Sequence, residues 1–304
     1  MAKQFYYGGQ AVIEGVMIRG KKAVVTAVRR PGGDIAVDTK PLSPIYTGWM
    51  RRAPLLRGVI ILIEAMVLGI RSLMYSANVA LEEEKEKFSG RTAWLTISAS
   101  VAFAVVLFFL IPLFITRLID PYISSSIIFH IIEGGIRLAI FIAYLVIIGQ
   151  IPDIKRVFTY HGAEHKAVNA FESGVPMEVS AVNAHGTAHV RCGTSFLFAV
   201  LIIAIIVFAF IGRQALWLMV LSRILLIPVI AAMGYEVVHF SAGHSRNLLV
   251  RAIIMPGLWL QALTTKQPDD SQLEVALAAL KQAVDIDRAE EKPQPEAESG
   301  AVSS

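Results

Sequence analysis

Four long runs of apolar residues organise this chain: Ala93 to Phe114, Ile127 to Ile148, Phe196 to Ile211 and Ala215 to Met233. The first two are long enough for a hydrocarbon core of about 30 Å. The last two are joined by the short break Gly212-Arg213-Gln214 and read as a helical hairpin. Upstream, Leu55 to Ala80 has helical periodicity, but Arg57, Glu64 and Arg71 recur every seven residues and leave only short uncharged runs between them. That pattern predicts an interfacial or re-entrant helix. The LEEEKEK run after it predicts a solvated helix end. Gln10 to Lys40 alternates short β-branched runs with turn signals, including Pro31-Gly32-Gly33-Asp34, and predicts a small antiparallel β-meander. Beyond the fourth run, Asn247 to Leu263 is apolar but broken by Arg251, Pro256 and Gly257, which predicts a segment lying at the interface. Ser271 to Val284 is amphipathic, with Asp269 and Asp270 at its start where carboxylates suit the helix dipole.

The expected fold is therefore a mainly α membrane protein with about four transmembrane helices, interfacial helices and the N-terminal meander. Its units are a cytoplasmic meander (1–54), an interfacial or re-entrant helix (55–92), a four-span domain with His-rich cytoplasmic loops (93–264), an amphipathic helix (265–287) and a disordered tail (288–304) rich in Glu, Pro and Ser.

Composition agrees, since 55% hydrophobic against 17% charged residues is too apolar for an ordinary soluble chain. The net charge of +4 is small and its basic residues are scattered, which excludes a nucleic-acid footprint. Arg and Lys precede the first span, recur between the second and third, and return after the fourth. The positive-inside rule then puts both termini and the central loop in the cytoplasm. The stretch Met1 to Gln10 lacks the pattern of a secretory signal. With one cysteine, Cys192, no intramolecular disulfide can form and the thiol is free for metal or redox chemistry.

Six of the seven histidines fall in three short stretches on the expected cytoplasmic side. HGAEH places His161, Glu164 and His165 at i, i+3 and i+4, on one helical face. It has the letter pattern in which two histidines hold zinc and the glutamate activates water. HGTAHVRC adds His185, His189 and Cys192, and GYEVVHFSAGH adds Glu236, His239 and His244. Zinc takes three or four protein ligands, so His161, His165, His185, His189, Cys192, Glu236 and His239 are more than one site needs. The mixed donors favour zinc, with iron or manganese behind it. Glu164 is the expected general base, and Arg191 reads equally as an anion holder or a positive-inside arginine. In the spans, Glu133 and Arg137 read as an i,i+4 pair near the outer interface beside His130, whereas Arg223 has no partner that sequence can name.

The stretches GGQAVIEGVMIRG, YHGAEHKAVNAFE, HVRCGTSF, GYEVVHFSAGHS and QPDDSQLEVALAAL closely resemble the YqhQ-like family of bacterial membrane proteins. The resemblance implies an inner-membrane protein and a metal-dependent enzyme, without a reaction. The expected function is an integral membrane metal-binding protein, a hydrolase acting at the cytoplasmic membrane face. Its partners are the lipid bilayer and other membrane proteins, with an oligomer allowed. The alternatives are a metal-stabilised scaffold or assembly factor for membrane proteins and, last, a metal transporter, which the almost wholly apolar first and third spans disfavour.

Overall fold

In the computed structural model, residues 5–49, 53–54, 56–82, 90–244 and 247–289 are described. The expected disordered tail, apart from Arg288 and Ala289, and most of the LEEEKEK run lie outside them. The meander forms as expected. Strands β1 (Gly8–Val12), β2 (Gly15–Arg19), β3 (Ala23–Arg29) and β4 (Ile35–Pro41) pair antiparallel in the order β1-β2-β3-β4. The central strands carry unbroken apolar runs, such as Ala23-Val24-Val25, because the sheet is covered on both faces. One face presents Val12, Met17, Val24 and Val28 to Leu68 and Val79 of helix α1 (Leu56–Ala80). The other presents Val16, Ile18, Val25 and Ala27 to helices α5 (Pro152–Glu172) and α10 (Asp270–Ala289). A small α/β/α sandwich thus gathers segments from both ends of the chain and its middle.

Glycine appears in the sheet where strands approach closely. A Cβ on Gly9 would stand 1.9 Å from the carbonyl oxygen of Met17, and one on Gly15 would stand 2.2 Å from that of Ala27. The β1–β2 turn holds Glu14 at a φ of 52°, a left-handed conformation that costs a non-glycine residue about 1 kcal/mol. Its carboxylate accepts both donors of Arg156, one at 2.7 Å, and the hydroxyl of Tyr160 at 3.3 Å, so α5 holds the turn in place. Helix α10 begins with a capping box: Asp269 Oδ1 accepts the Gln272 N–H at 2.9 Å and Gln272 Oε1 accepts the Asp269 N–H at 3.1 Å. Its far end carries buried Asp287, which accepts from Tyr7 Oη at 2.9 Å and from the backbone of Lys21 at 2.8 Å.

Among the described residues, five helices are long and apolar enough to cross a membrane, one more than the four expected. They are α1; the helix running through α2 (Gly90–Val105), a π turn (Val106–Leu110) and α3 (Ile111–Ile119); α4 (Ser126–Ile148); α7 (Gly193–Ile211); and α8 (Leu216–Gly243). Two of the expected runs were drawn short, because the first continues past Phe114 to Ile119 and the fourth continues past Met233. Helix α1 differs from the others in being fastened to the sheet along its length. Buried Glu64 pairs with Arg19 at 2.9 Å, Ser72 with Thr26 at 2.9 Å, and Ser76 with the Ile13 N–H at 3.2 Å. Helix α6 (Val179–Asn183) and helix α9 (Leu248–Thr264) complete the fold, and α9 packs against the start of α7.

Candidate metal centre

The centre is built where α5 meets two crossing segments. Gly162 lets the first approach: a Cβ there would stand 1.9 Å from the carbonyl oxygen of Lys266, in the strap that links α9 to α10. The strap is held by the Lys266 N–H on Phe158 O at 2.9 Å, and its Thr264 carbonyl accepts from His161 Nδ1 at 3.0 Å. The second segment, the loop from α6 to α7, lies across the opposite part of α5. Lys166 Nζ binds the Asn183 carbonyl at 2.6 Å, Asn169 Nδ2 binds Gly186 O and Ala188 O at 2.9 and 3.0 Å, and His165 Nδ1 donates to Thr187 O at 2.5 Å.

Both histidines therefore spend Nδ1–H on a backbone carbonyl, which leaves Nε2 of each as the unprotonated nitrogen. Metal-binding imidazoles are held in the same way. Cys192 stands at the N-cap of α7, where its sulfur accepts the Thr194 N–H at 3.3 Å and lies 3.3 Å from His161 Nε2. Ligand atoms of His161, His165 and Cys192 lie within 4.8 Å of one another. Ligands around a tetrahedral zinc stand about 3.5 Å apart, so the three fit a metal with only small side-chain movement. Glu164 comes to the same place, with Oε2 3.4 Å from His165 Nε2.

Burial sets the protonation. It depresses His161 and takes His165 down to about 4, so both rings are neutral near pH 7. It pushes the Cys192 thiol up to about 11 and raises Glu164, the latter opposed by the neighbouring histidines and a hydrogen bond from the Gly9 backbone. The glycine-rich first strand thus reaches the centre.

The other candidates have separate surroundings. His189 is buried beside the cluster, its ring 5.6 Å from that of His165, with Nε2 3.7 Å from Glu172. Arg191 pairs with the same Glu172 and lies 4.0 Å over the ring of Tyr6, so it is engaged within the fold. His185 donates back to Ala181 O at 3.1 Å within its own turn. Glu236 is held by Arg57 through two hydrogen bonds, one of 2.7 Å, while His239 stacks on Tyr235 and His244 on Phe240. Among the described residues, only His161, His165 and Cys192 form a cluster able to hold a metal.

Sequence reasoning missed the residue that fixes the second segment. Gln261 of α9 is fully buried, accepts the His189 N–H at 3.0 Å, and donates to His189 O at 2.8 Å and Ser195 Oγ at 2.6 Å. A glutamine one turn from the end of an apolar helix was its only signal.

The fold and the cluster together define a mainly helical protein with several helices of membrane-spanning length and a compact α/β/α unit carrying a His/His/Cys cluster. A family model described as "Protein of unknown function (DUF1385)" matches residues 53–286, and the chain belongs to that family. It is 35% identical, over 303 residues and 95% of each chain, to "Uncharacterized protein YqhQ" of Bacillus subtilis (strain 168). No solved structure matches.

Proposed function

We propose that this protein is a membrane-embedded, metal-dependent hydrolase whose centre works at the cytoplasmic face of the bacterial inner membrane. The observation that carries the reading is the convergence of two Nε2 atoms and one sulfur, with both Nδ1 atoms spent on backbone carbonyls and a buried carboxyl alongside. Three protein ligands leave a fourth position open, the arrangement of catalytic zinc sites. Zinc is the best match to two imidazoles and a thiolate, with iron or manganese as alternatives. A bound metal supplies a water made nucleophilic near neutral pH. His161, His165 and Cys192 would hold it. Glu164, buried beside them, would take the proton from the attacking water and pass it to the leaving group. His189, held by Gln261, walls the centre on the side facing Glu172.

The shared core supports a common side for the sheet and α10 in this reading. Strands β2 and β3 pack on α10, so the sheet and the C-terminal helix lie on one side, and a chain arranged so crosses an even number of times. Four crossings by α2–α3, α4, α7 and α8 satisfy this and leave α1 on the sheet, at the interface. The excess of Arg and Lys on that side assigns it to the cytoplasm.

The test is metal content by mass spectrometry on detergent-purified protein, with a hydrolase screen on variants of matched folding. The expected result is stoichiometric metal in the native protein, its loss in His161→Ala, and retention in Glu164→Gln with activity abolished. Loss of metal in Glu164→Gln makes Glu164 a fourth ligand and favours a closed, structural site in a membrane scaffold or assembly factor. A native protein that takes up none of zinc, iron or manganese overturns the metal reading.

A further inference from the structure

A second cluster lies away from the metal centre, inside the apolar helices. Glu133 and Arg137 of α4 and Arg223 of α8 are buried, with 2–6% of their surface exposed. Arg223 Nη2 donates to both carboxylate oxygens of Glu133, at 2.7 and 2.5 Å, and Arg137 Nη2 donates to one of them at 2.7 Å. Arg137 Nε reaches the carbonyl of Phe108 at 2.9 Å, within the π turn between α2 and α3, and Arg223 Nη1 reaches Met219 O at 2.8 Å. Three helical segments are thus pinned together about one carboxylate.

The charges do not balance. Guanidinium groups stay protonated in proteins, so two cations share one anion and the cluster carries an excess positive charge in a low-dielectric interior. Phe208 lies 4.9 Å from Arg223 and Phe109 lies 5.4 Å from Arg137; their faces attract the cations but bring no counter-charge. Donors are also left over. Arg223 Nε and both ring nitrogens of His130 have no hydrogen-bond partner, and His130 is 3% exposed. Its Nδ1 stands 3.4 Å from Glu133 Oε2, outside hydrogen-bond geometry. With its proton on Nε2, His130 adds a second unmatched donor to Arg223 Nε, so the excess charge comes with two such donors around Glu133.

We propose that this cluster is an intramembrane binding site for one small monovalent inorganic anion of the halide or nitrate class, held by Arg223 and His130. A monovalent anion neutralises the excess charge, and only a small one can reach donors so fully buried. The proposal is independent of the metal centre.

The test uses the full-length protein in an uncharged detergent, exchanged into gluconate and titrated with chloride or nitrate at constant ionic strength. Thermal unfolding and equilibrium dialysis of radiolabelled chloride are followed. The expected native result is a saturable rise in melting temperature and one-to-one chloride binding. In Arg223→Gln, which brings the net charge to zero, both responses should be lost. In Glu133→Gln, which raises it to two, chloride should bind about tenfold more tightly even if the protein melts lower. That opposite sign separates an anion site from a purely structural ion-pair knot, and it holds even if Arg223→Gln folds poorly. Absence of saturable chloride or nitrate binding by the native protein overturns the proposal. So does stabilisation by anionic lipid vesicles alone, with chloride inert, which assigns the charge to a lipid headgroup.

Discussion

Cys192 is the residue whose protonation must change for the centre to fill. Its thiol is raised to about 11 by burial, whereas a metal binds only the thiolate. His161 and His165 are depressed, His165 to about 4, so at pH 7.5 they are already neutral and release nothing. Metal uptake at that pH should therefore expel about one more proton in the native protein than in Cys192→Ser. Apparent affinity should fall about tenfold for each unit of pH lowered between 8 and 7, as protons compete for the sulfur. Titration calorimetry in buffers of different ionisation enthalpy reads the proton count directly. Equal release by both proteins would show that Cys192 is not a ligand. Much of this residue-level picture was legible: the i, i+3, i+4 spacing on α5 does bring His161, Glu164 and His165 to one face. What spacing could not see were contacts across the chain. The reading of Glu236 and His239 as candidate metal ligands had no view of Arg57, which lies 179 residues away and holds Glu236. Likewise Glu133, read as paired with its helical neighbour Arg137, also binds Arg223 from 90 residues away.

At the scale of elements, the centre depends on how closely the α9–α10 strap crosses α5. The glycine of the HGAEH motif makes no ligand, yet any side chain at position 162 would meet the Lys266 carbonyl at 1.9 Å. Replacing it forces the strap outward, and with it the Thr264 carbonyl that orients His161. Gly162→Ala should therefore destabilise the protein by about 1–3 kcal/mol, the usual range for overpacking a tight contact. It should also weaken metal binding, although no ligand has changed. Thermal unfolding and competitive metal titration check the two effects. A variant as stable and as tight-binding as the native protein would mean that the strap does not position His161. The elements were themselves largely predictable, because long apolar runs, capping residues and β-branched strands each report a local preference. The sandwich was not, since three elements far apart in the chain come together only through complementary faces. Alternation in β3 is masked by burial on both sides, so its pattern gives no clue to which helix covers which face.

The whole molecule makes the strongest commitment about topology. Length and composition admit α1 as a fifth crossing, but a fifth crossing would put the sheet and α10 on opposite sides of the membrane. Their shared core, with Val25 and Leu280 both fully buried and Asp287 bound to the β2–β3 turn, supports the proposed four crossings instead. Breaking that core would expose the buried apolar side chains of two strands and a helix, each worth about 1.5–3 kcal/mol. The arrangement can be checked by labelling single cysteines with a membrane-impermeant maleimide, starting from Cys192→Ser, which removes the native thiol. Lys22→Cys in the sheet turn and Glu178→Cys before α6 are both exposed and on the side assigned to the cytoplasm, so they should label only in permeabilised cells. Ser124→Cys, between α3 and α4, should label in intact cells. Labelling of Lys22→Cys from outside, with Glu178→Cys protected, would require α1 to cross and the sandwich to come apart. Labelling of both from outside, with Ser124→Cys protected, would keep the fold but invert it, placing the metal centre on the outer face of the membrane.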